Sequence, residues 1–148
     1  FHADLYHTPR EGREPLFDNL FDILDFSPFR NHLVESYSAG TKRKLLLAQA
    51  LAVNPRVLLL DEPLISIDPL VMRRVMGYLK NWVREGRVIL FATHILALAR
   101  EIGDQVAIIH QGAVSRHLEL ASQEASWDTR ALEDLYLKTV AGEADGPA

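Results

Sequence analysis

The sequence predicts an α/β fold, and three observations carry that expectation. Two uninterrupted apolar runs, Val57 to Leu60 and Val88 to Ala92, are strand-sized and lack polar alternation, as in strands buried on both faces of a parallel sheet. Each run ends in a polar pair, Asp61-Glu62 and Thr93-His94. Stretches with apolar residues at helical spacing lie before, between and after them, and such alternation is the pattern of α/β architecture.

Residues 1 to 15 are polar, punctuated by Pro9, Gly12 and Pro15, and read as loop. Leu16, Phe17, Leu20, Phe21 and Leu24 then recur at helical spacing, and Pro28 closes that helix. A second helix is predicted from near Ser38 to about Val53, closed by Asn54-Pro55. After the first strand, Asp68 is a good N-cap and Pro69 fits the first helical position. Val71, Met72, Val75, Met76, Leu79, Trp82 and Val83 give the following helix its apolar face. Gly86 precedes the second strand, and a short helix from Ile95 to Ile102 ends at Gly103. Val106 to Ile109, a turn at Gln111-Gly112 and Ala113 to about Leu120 read as a hairpin. A last helix is predicted over roughly residues 129 to 140, before a polar tail expected to be disordered.

The bulk composition narrows the classes. The 148 residues suffice for one ordinary domain, and an apolar fraction of 48% is that of a globular chain. A net charge of −4 argues against the diffuse basic surface of a nucleic-acid binder. The chain has no cysteine, hence no disulfide framework and no thiolate metal site, which fits a reducing compartment. No apolar run reaches the roughly 18 residues of a membrane-spanning helix, and no secretory signal is recognisable. The chain starts at Phe1 and not at Met, which suggests a piece of something longer or a processed product.

Three segments could carry chemistry. Asp61 and Glu62 follow an apolar strand, and open α/β sheets place ligands at that edge. Adjacent residues at a strand end diverge, so one acid can hold a hydrated Mg²⁺ while the other orients water; the alternative is a solvated acidic turn. Tyr37-Ser38-Ala39-Gly40-Thr41 opens a helix, whose unpaired N–H groups and partial positive charge bind anions. Lys42-Arg43-Lys44 then sits at the unfavourable end of the helix dipole, at a cost of about a few tenths of a kcal/mol that an anionic ligand would offset. The alternative is a serine cap and a solvated basic turn. His94 can donate to a phosphate or hold a water, or be a satisfied structural residue. The remaining histidines show no metal-ligand spacing, and the aromatics at 17, 21, 26 and 29 read as core and not as a base-stacking platform.

Taken in order and spacing, these segments resemble the C-terminal part of the ATP-binding-cassette (ABC) ATPases, over about residues 16 to 142. Tyr37 to Thr41 is similar to the LSGGQ signature, Arg56 to Pro63 to Walker B and its following glutamate, Ser66-Ile67-Asp68 to the D-loop, and Ala92-Thr93-His94 to the H-loop. Leu132 to Leu137 is similar to the closing helix of ATPases serving ABC-2-type exporters. The resemblance implies a P-loop NTPase-like, mostly parallel sheet with part of the ABC helical subdomain. It divides the chain into helical subdomain (1–54), ATPase core (55–120) and closing helix with tail (121–148). It also implies roles: Asp61 for Mg²⁺, Glu62 as general base, and His94 on the γ-phosphate. Asp68 would communicate across a dimer, and Ser38, Ala39, Gly40 and Thr41 would face ATP held by a second ABC ATPase domain arranged head to tail. A transmembrane transporter subunit would be the other partner, with the ATPase peripheral on the cytoplasmic face of the membrane. Ala39 departs from the usual first glycine, Thr41 from glutamine, and Leu64-Ile65 from a common Thr-Ser.

A P-loop, G-x-x-x-x-G-K-[ST], does not occur in these 148 residues: none of the four lysines follows a glycine. The resemblance would place the missing strand between those at 88–92 and 106–109, leaving unpaired backbone on both sides. The chain by itself is therefore expected to be catalytically inactive. Three readings remain: part of a transporter ATPase, with export favoured; a P-loop-less binding or regulatory module; and part of a non-transport ABC ATPase.

Overall fold

The computed structural model describes residues 13–120 and 127–142. The first stretch of predicted loop (1–12) and the polar tail beyond Gly142 lie outside them. Contacts divide the chain into two compact units, Phe1–Ala92 and Thr93–Ala148.

The first unit contains helix α1 (Arg13–Ile23), two short 3-10 turns (Ser27–Phe29 and Val34–Ser36), helix α2 (Ala39–Ala52), strand β1 (Val57–Asp61), helix α3 (Pro69–Arg84) and strand β2 (Val88–Ala92). Helix α1 begins before the predicted start and takes in Pro15. Proline is tolerated there because the first-turn amides have no intrahelical acceptor to lose. Helix α1 packs against both α2 and α3. Leu20, Leu24, Leu47, Leu51, Val71, Val75 and Leu79 are buried. The segment between α1 and α2 is held by aromatic packing. Phe26 meets Phe21 at 4.9 Å and Tyr37 edge-on at 5.5 Å, and the Tyr37 hydroxyl reaches the carbonyls of Phe29 (2.8 Å) and His32 (3.1 Å). Of the four aromatics expected in the core, Phe26 is buried, while Phe17, Phe21 and Phe29 are half-buried around it.

Strands β1 and β2 are parallel, in the register Val57↔Val88 through Asp61↔Ala92. The expectation of strands buried on both faces is not met. Leu58 is buried, but Val57, Leu59, Val88 and Leu90 are 58–69% exposed. The register sets these four side by side, so one face of the ladder is a continuous apolar surface.

The second unit contains helix α4 (Leu96–Ile102), strands β3 (Gln105–His110) and β4 (Ala113–Glu119), and helix α5 (Thr129–Ala141). The strands form an antiparallel hairpin whose turn, Gln111-Gly112, has φ of +50° and +79°, the left-handed pair a tight hairpin requires. Helix α5 packs on α4 and β3. Asp128 caps it through the Ala131 amide (2.7 Å), and Gly142 ends it at φ +74°. No helix among the described residues is long and apolar enough to cross a membrane.

The burial pattern sets an order of mutational cost. Leu79 is fully buried and Leu59 is not. Leu79→Ala is expected to lower stability by about 2–5 kcal/mol, and Leu59→Ala by no more than about 0.5 kcal/mol, as read from urea denaturation of the chain.

Candidate functional site

The first unit brings two polar segments together, the start of α2 and the loop after β1. Ser38 caps α2: its Oγ accepts from the Thr41 amide at 3.1 Å, and its carbonyl accepts from the Lys42 amide at 2.9 Å. Of the four N–H groups that a helix start leaves without intrahelical acceptors, the Thr41 amide is thereby satisfied. Among the described residues the Ala39 and Gly40 amides have no acceptor, and they sit at the positive end of the helix dipole. Ser38 and Ala39 are exposed and Gly40 is half-buried.

Thr41 is 6% exposed, and its hydroxyl lies 2.8 Å from the Ser38 Oγ. Its side chain completes the cap, at a position of this turn that faces the core.

Gly40 has a packing reason to be glycine. A Cβ built there would stand 2.6 Å from the Ser66 carbonyl oxygen, closer than side-chain carbons tolerate. The first turn of α2 thus lies directly against the backbone of the loop that ends in Asp68. Arg43, one turn along, donates from Nη1 to the Ile65 carbonyl at 2.9 Å. Lys44 reaches the Asp25 carbonyl at 3.3 Å, with the Asp25 carboxylate 4.0 Å away. Two of the three clustered cations therefore have acceptors within the fold, so an external anion is not needed to offset them. Lys42 is exposed.

At the other segment, Asp61 ends β1 and is exposed. Glu62 follows in the left-handed region at φ +44°, with its amide donating to the Ala92 carbonyl at 2.9 Å. A non-glycine residue held there costs on the order of 1–3 kcal/mol, and such strain clusters at functional sites. Ser66 is also left-handed, at φ +62°. Asp68 caps α3, accepting from the Leu70 amide at 2.8 Å and the Val71 amide at 3.4 Å. Beyond β2, the Thr93 Oγ1 accepts from the Ile95 amide at 3.1 Å, and His94 is exposed.

The residues fit part of a Mg²⁺–nucleotide site. Among the described residues no group of three or more His, Cys, Asp or Glu could hold a metal by itself. One strand-end carboxylate such as Asp61 suits Mg²⁺, which keeps several waters and takes other ligands from phosphate. The sequence marked Arg43 only as part of a basic cluster and Ser66 only as part of the D-loop segment, and not the contacts they make. The signal was present, since a cation in the first turns of a helix opposes the dipole and calls for a local acceptor.

A parallel strand pair with acidic residues at its C-terminal edge, beside a capped helix start, is an α/β arrangement of the kind that places ligands at strand ends. The comparisons with known proteins agree. The family model described as "AAA domain, putative AbiEii toxin, Type IV TA system" matches residues 9–100. The chain is 38% identical over 113 residues to the phosphate import ATP-binding protein of Mycobacterium intracellulare, covering 73% of this chain and 37% of that protein. It is 35% identical over 112 residues to the octopine permease ATP-binding protein P of Rhizobium meliloti, covering 74% and 43%. Among solved structures, an ATP-binding subunit of an ABC transporter superposes with a TM-score of 0.81 at 25% identity, over 93% of this chain and 58% of that one. A dimeric ATP-binding cassette bound to ADP and Pi superposes with a TM-score of 0.71 at 25% identity, over 82% and 55%. The chain belongs to the matched AAA-domain family and is a segment of an ABC-type ATPase domain. It spans less than half the length of these two curated relatives.

Gly40→Ala is expected to push α2 away from the Ser66 carbonyl and to destabilise the chain by about 1–3 kcal/mol, the range for overpacking a tight contact. Ala39→Gly, at an exposed position of the same turn, should cost no more than about 1 kcal/mol. Thermal denaturation of the two variants checks the difference.

Proposed function

We propose that the chain is the C-terminal part of the ATP-hydrolysing subunit of an ABC transporter, working as a head-to-tail dimer of ATPase domains beside a transmembrane subunit, peripheral on the cytoplasmic face of the membrane. The observation that carries the reading is the packing of an exposed helix start, with two open amides, against the loop joining Glu62 to Asp68. That arrangement supports a protomer offering both a hydrolytic carboxylate and a surface for a second protomer's nucleotide.

The residues divide the work. Asp61 would hold Mg²⁺ through water, and the ion supplies charge neutralisation on phosphate oxygens. Glu62 orients the attacking water and accepts its proton on a carboxylate oxygen. His94 donates to the γ-phosphate, a role that rests on the family resemblance. The Ala39 and Gly40 amides, aided by the helix dipole and by Ser38 at the cap, face the negative charge of the partner's nucleotide. Asp68 fixes the start of α3 and stands at the dimer face. Positioning and electrostatic stabilisation are what phosphoryl transfer to water requires.

The apolar face of Val57, Leu59, Val88 and Leu90 supports a further part of the reading. A parallel pair is ordinarily covered on both faces, and the chain spans little more than half of the solved ABC cassettes it resembles. The remainder of the ATPase domain, with its phosphate-binding loop, would cover that face. The two relatives above are named for phosphate import and as an octopine permease, whereas the closing helix, Leu132 to Leu137, favours export. The membrane subunit would choose substrate and direction.

In the complete gene product, Glu62→Gln should lower Mg²⁺-dependent ATP hydrolysis by about 10²–10⁴-fold and trap an ATP-bound dimer visible by size-exclusion chromatography. Wild-type turnover in that variant would remove Glu62 as the base. The 148-residue chain alone should release no phosphate above buffer. Turnover by it, abolished by Glu62→Gln, would show that it needs no P-loop from elsewhere. A complete gene product that binds ATP without hydrolysing it would instead favour a binding or regulatory module.

A further inference from the structure

The loop from Glu62 to Asp68 joins the end of β1 to the start of α3. Its internal bonds are turn-like and long: the Ile65 amide to the Glu62 carbonyl at 3.4 Å, and the Ile67 amide to the Leu64 carbonyl at 3.3 Å. It contains two non-glycine residues in the left-handed region, Glu62 and Ser66. Leu64 and Ile67 are buried and fix the loop's underside. On its polar side the loop meets α2 in two places, the Ser66 carbonyl against Gly40 and the Ile65 carbonyl on the Arg43 guanidinium. A charge-assisted hydrogen bond is stronger than a neutral one, and this one is part-buried and joins residues 22 apart in sequence. It also explains why a cation stands near the start of a helix, where the dipole disfavours it.

We propose that Arg43 is a positioning residue that clamps the Glu62–Asp68 loop to the start of α2, so that Glu62 and the Ser38–Gly40 turn move as one body. The functional part rests on the ATPase reading above; the clamp itself does not. Arg43 acts through the Ile65 carbonyl, which precedes the left-handed Ser66 and lies three residues from both Glu62 and Asp68. Glu62 would serve the nucleotide of its own protomer and Ser38 to Gly40 that of the partner. Linking them by one guanidinium ties closure on the partner's nucleotide to the placing of the hydrolytic carboxylate.

Hydrogen–deuterium exchange on the complete gene product, wild type against Arg43→Met and Arg43→Lys, tests the clamp. Arg43→Met keeps the aliphatic stem and removes the donors. It is expected to speed exchange of the Ile65 and Ile67 amides about tenfold or more, the scale of one lost charged hydrogen bond, while amides in the middle of α3 stay unchanged. Arg43→Lys should restore part of the protection. ATPase kinetics then test the consequence: Arg43→Met should lower kcat about tenfold with KM for ATP near wild type, and Arg43→Lys should recover part of kcat. Unchanged exchange at Ile65 and Ile67 would overturn the clamp. Faster exchange with unaltered kcat in a protein whose wild type hydrolyses ATP would overturn the positioning role. If the wild type neither hydrolyses ATP nor dimerises with it, the functional reading fails, and exchange still decides whether Arg43 holds the loop.

Discussion

The missing side chain at Gly40 lets the first turn of α2 rest on the Ser66 carbonyl, and the placement of the polar residues in the first unit follows from that contact. A larger residue would bring its Cβ to 2.6 Å from that oxygen, so the helix start or the loop would have to shift. The Ser66 contact and the Arg43–Ile65 bond lie on the same loop, one residue apart. The loop is thereby held at the height of the helix start, with Glu62 at its beginning and Asp68 at its end. Tyr37 does the complementary work from the other side. Its ring is buried among Phe26 and Phe29 and its hydroxyl is bonded to two carbonyls, which fixes where the chain turns into α2.

Caps and turns explain why so much of this geometry is local. Ser38, Asp68 and Asp128 each accept a hydrogen bond from an amide in the first turn of the helix they precede. Each such cap contributes about 1 kcal/mol and settles where a helix begins. At the start of α2 the cap has a second effect. By consuming the Thr41 amide and hydroxyl it leaves the Ala39 and Gly40 amides as the open donors. The departures from the signature pattern thus have different weights. Ala39 is exposed and keeps its amide available, whereas Thr41 has been drawn into the cap.

The strand pair shows how a single register can serve two ends. Pairing Asp61 with Ala92 puts the start of the acidic loop at the edge where β2 also ends. The same register lines up Val57 with Val88 and Leu59 with Leu90, which creates the apolar face. Its side chains are those of strands covered on both sides, and the surface they form is large for a sheet meant to face water. Among the described residues that face stays exposed.

The sequence by itself determined the order and type of the elements, because helical spacing, apolar runs and turn residues act over a few neighbours. Ser38 and Asp68 as caps, Gln111-Gly112 as the hairpin turn and the apolar strands ending in Asp61 and Ala92 were all legible for that reason. The resemblance to ABC ATPases was legible too, because its motifs are short and lie in register along the chain. Only the tertiary structure decided what faces what. It turned Thr41 inward, exposed one face of β1 and β2, placed Ser66 against Gly40 and gave Arg43 its acceptor 22 residues away. Those outcomes depend on how elements distant in sequence pack, and neither periodicity nor local propensity carries information over that range.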